Sequence, residues 1–136
     1  MKKLLIGGQA LRSYGSSRHT SDFDYLVFNS EEKVFFFTEE ADYINAAAND
    51  FFLKVWEAEA ENTTGIASLD AIAELKAYSY VQDCQNRNWA KADNAEFDLK
   101  FCARMGAKLP TIVQKFIDKG IFANEIAKIW KQIETR

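Results

Sequence analysis

Two glycines near the start of the chain lie where backbone atoms could bind an anion. Gly7 and Gly8 end a short apolar run and open a helical pattern, and glycines at such a turn let backbone amides approach a ligand closely. Because a helix N-terminus favours negative charge, phosphate is the ligand that this turn predicts. The alternative is a strand-to-helix turn that needs glycine only for its backbone shape, and the residues leave both interpretations open.

Two carboxylates follow at a spacing that suits a metal ion. Asp22 and Asp24 are separated by one residue, so in a strand they project from the same face. Like charges held this close repel each other unless a cation lies between them. Mg²⁺ is bound in proteins by one or two carboxylates together with substrate phosphates. The pair therefore predicts a magnesium site, although an isolated pair of this kind is more often a solvated strand face.

Length and composition exclude several other classes of function. The chain has 136 residues and a net charge of −3, so its overall charge does not draw it onto nucleic acid or an anionic membrane. The lone His19 and the distant Cys84 and Cys102 argue against a zinc site and a serine triad. No apolar stretch approaches the roughly 18 residues that cross a bilayer, and the start lacks a signal-peptide core. We therefore expect a cytoplasmic protein without membrane contact.

The first third of the chain reads mainly as strands. Residues 3–6 form an apolar strand that leads into a short helix, and Asp22–Phe28 alternates as a second strand. Lys33–Phe37 is rich in β-branched and aromatic residues, so we expect it to pair with the second strand as a hairpin. Residues 41–60 are predicted to be helical, with a strand over 51–56 as the alternative.

The rest of the chain reads as helices. Ser68 is a good N-cap for one helix, and a second carries Phe97, Phe101 and Met105 on one face. Two more are predicted, one between Pro110 and Gly120 and a last one capped by Asn124. Lys91, Asp93 and Asp98 are expected on a solvated loop surface. These elements predict one α+β domain over residues 1–136, with a sheet-forming core in 1–62 and a helical portion in 63–136.

The glycines and carboxylates together resemble a known signature. Ile6-Gly7-Gly8 followed by Asp22-Phe23-Asp24-Tyr25 is similar to the motif of the nucleotidyltransferase superfamily with the polymerase β-like fold. That motif is a hydrophobic residue with Gly-Gly or Gly-Ser, a gap, and Asp-hydrophobic-Asp/Glu-hydrophobic. The run from Gly7 to Asp24 also resembles the small bacterial and phage branch that includes antibiotic, abortive-infection and toxin–antitoxin nucleotidyltransferases. The resemblance covers residues 4–28.

The resemblance implies a fold, an activity and a set of residues. The fold is a small mixed β-sheet of the nucleotidyltransferase type, flanked by helices. The activity is Mg²⁺-dependent transfer of a nucleoside monophosphate from an NTP such as ATP to an acceptor. Asp22 and Asp24 would be catalytic and hold Mg²⁺. The nucleotide would be bound by Gly7, Gly8, Arg12, Arg18, Ser21 and, from a later helix, Lys76.

Active members of the superfamily add a third carboxylate from a later strand. Asp42 is the best-placed candidate here, with Glu57 and Glu59 as fallbacks, and for each the alternative is a surface acid. If none reaches the pair, the domain would be a catalytically inactive nucleotide-binding or protein-interaction module of a toxin–antitoxin or phage-defence system. A third interpretation is that the acidic pair is a coincidence in an unrelated α+β domain.

The acceptor is left open among RNA, a protein and a small molecule. RNA is favoured by basic residues late in the chain, namely Lys100, Arg104, Lys108, Lys115 and Lys119. At this chain length a homodimer or a helical partner protein that completes the cleft is also an expectation.

Overall fold

The computed structural model describes residues 2–134, which form an α+β protein with a small mixed sheet and a mainly helical second half. The chain divides into two compact units, Met1–Ile72 and Ala73–Arg136. The predicted boundary between the sheet-forming core and the helical portion lay earlier, at 62/63. The first unit extends further because residues 65–67 are hydrogen-bonded to the first strand. The Ala67 amide donates to the carbonyl oxygen of Leu5 at 3.0 Å.

Within the described chain, four strands form one sheet in the order β1-β2-β4-β3. Their bounds are Leu4–Ile6 for β1, Asp24–Val27 for β2, Phe36–Phe37 for β3 and Asp42–Asn45 for β4. β1 and β2 are antiparallel, β2 and β4 are parallel, and β3 and β4 are antiparallel. The expectation of a small mixed sheet is therefore confirmed.

The predicted hairpin is wrong, and so is the helix at the start of residues 41–60. β4 lies between β2 and β3, so Phe36 pairs with Tyr43 and not with the second strand. The ring of Tyr43 stacks on Tyr25 at 5.7 Å and on Phe36 at 5.0 Å between centroids. Aromatic pairs between neighbouring strands stabilise a sheet, and this non-local contact overrides the local helical pattern.

Side chains cap the amides at the start of two helices, whereas the first helix begins after Ile6 without a side-chain cap. After α1 (Gly7–Ser13) and a 3₁₀ turn (Ala46–Ala48), α2 runs over Asp50–Ala58. Asn49 Oδ1 accepts from the amides of Phe51 and Phe52, which explains why the helix starts there rather than at residue 41. Ser68 caps α3 (Leu69–Gln85) as predicted, since its Oγ accepts from the Ala71 amide at 3.1 Å.

The second unit is helical, and two of the three helices predicted for it are present. α4 runs over Trp89–Arg104, and the last helical stretch joins α5 (Lys119–Ile121), a π-helical segment (Phe122–Ile126) and α6 (Ala127–Glu134). The helix expected after Pro110 is only a 3₁₀ turn, Val113–Lys115. The buried carboxylate of Glu74 accepts from the Ile112 amide at 2.8 Å and the Val113 amide at 3.3 Å, and so holds this segment in its turn.

Two further expectations for the second unit are corrected. Asn124 is not a cap, because it lies inside the π-helical segment and Asp118 caps the stretch by accepting from the Ile121 amide. Met105, expected on one helical face with Phe97 and Phe101, follows the last residue of α4, and Phe97 and Met105 are 44% and 49% exposed. The buried face of α4 carries small and medium side chains instead: Ala92, Ala95, Leu99, Cys102 and Ala103.

No helix within residues 2–134 has both the length and the apolar composition that a membrane span needs.

Candidate nucleotide site

Strand pairing brings the predicted third carboxylate, Asp42, beside Asp24. Asp24 opens β2 and Asp42 opens β4, and the two residues are partners in the parallel register. Partners in neighbouring strands have backbones about 4.8 Å apart and project to the same face of the sheet. The Asp42 amide donates to the carbonyl oxygen of Phe23 at 2.9 Å, which continues this pairing toward Asp22. Asp24 and Asp42 are half-buried, whereas Asp22 is exposed just before the strand.

The glycine turn lies directly against this carboxylate edge. Gly7 adopts a left-handed backbone with a φ of 69°, a conformation that side chains disfavour. A Cβ atom added to Gly7 would lie 2.9 Å from Oδ2 of Asp24. The Asp24 carboxylate therefore occupies the space that any side chain at Gly7 would need, and the glycine is required for this close approach.

Gly8 makes room for the loop that precedes the acidic pair. A Cβ atom there would lie 2.6 Å from Cγ2 of Thr20 and 3.1 Å from Nη2 of Arg18. Gln9 Nε2 donates to the Thr20 carbonyl oxygen at 2.8 Å and fixes the same loop on α1. The absence of side chains at Gly7 and Gly8 thus lets the Asp24 carboxylate and the Arg18 guanidinium group approach the same backbone turn.

The remaining residues of the loop lie at the surface beside this turn. Arg12, in the last turn of α1, places Nη1 3.3 Å from Nδ1 of His19. Ser21 is exposed next to Asp22, whose amide donates to Oγ1 of Thr20 at 3.3 Å. The structure therefore gathers most of the predicted site residues in the first unit: Gly7, Gly8, Arg12, Arg18, Ser21, Asp22, Asp24 and Asp42.

Lys76, the predicted nucleotide-binding residue from a later helix, forms an ion pair with a buried carboxylate. It belongs to the second unit, where its Nζ lies 2.9 Å from Oδ2 of Asp98. The Asp98 side chain is only 1% exposed, so the expectation that Asp98 lies on a solvated loop is wrong. An ammonium group beside a buried carboxylate stabilises that charge, and this contact gives Lys76 a structural role.

The two fallback carboxylates do not join the acidic pair in the sheet. Glu57 is exposed on α2. Glu59 is buried and its carboxylate accepts from the Ser68 amide at 2.6 Å and from the Ser68 hydroxyl at 3.1 Å. Glu59 therefore fixes the start of α3, and Asp42 is the carboxylate that the sheet aligns with Asp24.

The carboxylates of Asp22 and Asp24 suit a cation that takes some of its oxygen ligands from a bound substrate. Within residues 2–134, no three His, Cys, Asp or Glu side chains lie close enough together to hold a metal by themselves. Mg²⁺ does not need such a cluster, because it is commonly held by one or two carboxylates plus substrate phosphates and water. Asp22 and Asp24, beside a turn without side chains, fit that kind of binding.

Two residues at the site were missed by sequence reasoning. Gln9 fixes the loop through its contact with Thr20, and Thr20 itself packs over Gly8. A polar side chain directly after the glycines was the available signal for Gln9. The packing of Thr20 over Gly8 has no local signal, because it depends on how the loop folds back.

We expect Gly7→Ala to lower the free energy of unfolding by about 2–3 kcal/mol, since a left-handed backbone costs about 1–2 kcal/mol and crowding against Asp24 adds to it. Gly15→Ala is the matched control, because Gly15 has a φ of 105° with no atom within 4 Å of the added Cβ. Its loss should be about 1 kcal/mol. Urea denaturation measures both, and equal losses would contradict a tight contact between Gly7 and Asp24.

The site combines a glycine turn, the guanidinium group of Arg18 and the aligned carboxylates of Asp24 and Asp42. No protein-family model, no curated protein and no solved structure matches the chain.

Proposed function

We propose that this protein is a Mg²⁺-dependent nucleotidyltransferase with a nucleotidyltransferase-type fold, which moves a nucleoside monophosphate from an NTP to an acceptor hydroxyl. The observation that carries the proposal is the parallel register of Asp24 with Asp42 beside the Gly7–Gly8 turn. A carboxylate pair alone would be weak support. Asp42 aligned with Asp24, next to a turn without side chains, supports it further.

Substrate binding would use the turn and the acidic pair. Asp22 and Asp24 would hold Mg²⁺, which neutralises the triphosphate and polarises the α-phosphorus when bound. Gly7 and Gly8 carry no side chain, so phosphate oxygens can approach their backbone closely. The Asp24 carboxylate already lies against Gly7, and the phosphates and the acidic pair would therefore be close neighbours.

The transfer step needs a base, and Asp42 is suited to that role. Its carboxylate would accept the proton of the acceptor hydroxyl as the oxygen attacks the α-phosphorus. A new P–O bond forms to the acceptor, the bond between the α-phosphorus and the bridging oxygen breaks, and pyrophosphate leaves. Asp42 is half-buried in β4, so the sheet restricts its position relative to Asp24.

Two guanidinium groups would stabilise the leaving group. Arg18 lies over Gly8, with Nη2 3.1 Å from the position of an added Cβ. Its planar fork can bond two phosphate oxygens and compensate the charge that develops on pyrophosphate. Arg12 lies on the same helix as the glycines and contacts His19, so it would add a second positive charge near the outer phosphates.

RNA is the acceptor that we propose. Four of the five late basic residues predicted to favour RNA are exposed, and this local charge favours a polyanion even though the chain as a whole is acidic. They are Arg104, Lys108, Lys115 and Lys119. The fifth, Lys100, is half-buried, and its Nζ lies 3.8 Å from Oε2 of Glu96.

A second candidate function is an inactive nucleotide-binding module that acts by binding another protein. The observation that favours it is the apolar surface around β3, where Val34, Phe35 and Phe37 are 57%, 37% and 66% exposed. Exposed apolar patches of this kind often mark interaction sites. The two candidates share the nucleotide site and differ in whether Asp42 serves as a base.

The test is a label-transfer assay on the full chain. The protein is incubated with Mg²⁺, each α-³²P-labelled NTP in turn and total RNA, and label in RNA is measured for wild type and for Asp22→Asn/Asp24→Asn. We expect transfer by the wild type and a loss of at least about 100-fold in the double variant.

Glu31→Gln/Glu32→Gln is the matched control, because it removes two exposed carboxylates of the first unit outside the site. It should transfer label like the wild type. Absence of transfer to RNA, protein and small molecules alike, together with absence of Mg²⁺-dependent NTP binding, would refute both candidate functions.

A further inference from the structure

A second cleft lies on the opposite face of the sheet from the carboxylates. Successive residues of a strand point to opposite faces, so Tyr25 faces away from Asp24. The cleft beside Tyr25 has a volume of about 670 Å³ and is bounded by Lys2, Lys3 and the segment 60–66. Sites for small organic ligands have about this volume.

The ring of Tyr25, which lines the cleft, is the end of an ordered row of three aromatic rings. Tyr25 stacks on Tyr43 at 5.7 Å with planes 20° apart, and Tyr43 stacks on Phe36 at 5.0 Å with planes 19° apart. The row extends across β2, β4 and β3, so it is held by the strand register. A ring fixed in this way loses little freedom when a planar ligand stacks against it.

Two ammonium groups lie at the rim of the same cleft. Lys3 places Nζ 4.3 Å from the centroid of the Tyr25 ring. Lys2 donates from Nζ to the carbonyl oxygen of Glu59 at 2.9 Å and lies 5.1 Å from the Trp56 ring centroid. Both lysine residues are exposed, so they can also meet an anion that enters from solvent.

We propose that this cleft binds a mononucleotide, with the base on Tyr25 and the phosphate between Lys2 and Lys3. A nucleobase stacks on an aromatic ring more strongly than an exposed ammonium binds the same face. The base therefore displaces Lys3 from Tyr25, and the released ammonium group pairs with the phosphate. Thr63 is exposed, lines the cleft and offers a hydroxyl group to the ribose or the base edge.

The charge of the surrounding unit favours a mononucleotide over an RNA strand. Residues 2–72 carry twelve acidic and six basic side chains, so a strand laid across this unit would meet an excess of negative charge. A single phosphate needs only the two lysines at the rim. The proposal does not depend on catalysis at the carboxylate face, because the two sites use different side chains.

The test is a titration of the ¹⁵N-labelled full chain with AMP in EDTA, followed by two-dimensional NMR. EDTA removes divalent cations and so separates this cleft from the proposed Mg²⁺ site. We expect amide shifts at residues 2–5, at Tyr25 and in 60–66, and the same shifts in an Asp24→Asn background. Shifts confined to residues 7–24 without Tyr25, or none up to about 5 mM AMP, would overturn the proposal.

Variants and other probes sharpen the result. Lys3→Gln and Tyr25→Leu should each weaken AMP binding at least about fivefold, whereas Lys54→Gln, an exposed lysine on α2, should leave it unchanged. The same spectra report whether Tyr25→Leu stays folded, and Lys3→Gln carries the test if it does not. Inorganic phosphate or adenosine binding as tightly as AMP would contradict joint recognition of ring and phosphate. If a six-nucleotide oligoadenylate binds more than tenfold tighter than AMP, the ligand of the cleft is an RNA strand and the mononucleotide proposal is wrong.

Discussion

Replacing Asp42 by asparagine is expected to lower nucleotidyl transfer by about 10²–10³-fold while changing Mg²⁺–NTP affinity by less than about threefold. The amide is nearly isosteric with the carboxylate but cannot accept the proton of the acceptor hydroxyl. Asp42 pairs with Asp24 in the sheet, so the substitution leaves the backbone and the two proposed metal ligands in place. Rates come from the label-transfer assay and affinities from calorimetry with a non-hydrolysable NTP analogue.

Glu57→Gln provides the control for Asp42→Asn, since it removes an exposed carboxylate of the same unit. Both its transfer rate and its NTP affinity should match the wild type. An Asp42→Asn protein that transfers at the wild-type rate would remove the proposed base from the mechanism. A wild type that binds Mg²⁺–NTP but transfers no label would favour the binding module instead.

Lys76→Met is expected to lower the free energy of unfolding by about 3 kcal/mol, because it leaves the Asp98 carboxylate buried without its ammonium partner. The two atoms lie 2.9 Å apart, and the Asp98 side chain is 1% exposed. Urea denaturation measures the loss. A second variant, Lys76→Met/Asp98→Leu, should recover most of it, since an apolar pair of similar volume needs no charge compensation.

Lys100→Met is the matched comparison for Lys76→Met. The Lys100–Glu96 pair is 3.8 Å long and its side chains are about 40% exposed, so its loss should stay below about 0.5 kcal/mol. If the two substitutions lower the free energy of unfolding equally, Lys76 is not needed to stabilise the buried Asp98 carboxylate. A Lys76→Met protein of full stability that loses NTP binding would return Lys76 to the nucleotide site.

The local parts of the site could be predicted from the sequence. The apolar run, Gly7, Gly8 and the alternation around Asp24 lie within short windows, and the structure forms a strand, a helix and a second strand there. Backbone preferences and periodicity act over such distances. Asp42 was predicted as the third carboxylate from its place after the Lys33–Phe37 strand. That it lies in a strand of its own, β4, was not predicted.

The non-local parts could not be predicted from one sequence. β4 was read as helix because its stabilising partners, Tyr25 and Phe36, lie elsewhere in the chain. The strand order followed from that pairing and was missed with it. Asp98 was taken for a surface residue because its partner, Lys76, lies on another helix. In each case a tertiary contact outweighed a weak local preference.

The buried side-chain amide of Asn45 helps to align the carboxylates of Asp24 and Asp42. Its Oδ1 accepts from the Asn29 amide at 3.0 Å and its Nδ2 donates to the Asn29 carbonyl oxygen at 3.1 Å, which ties the end of β4 to the residue that follows Phe28. Sliding β4 by one residue would break both bonds and turn Asp42 to the ring-bearing face of the sheet. Asn45 therefore fixes the register of β4 and so places Asp42 beside Asp24, although Asn45 lies at the other end of the strand.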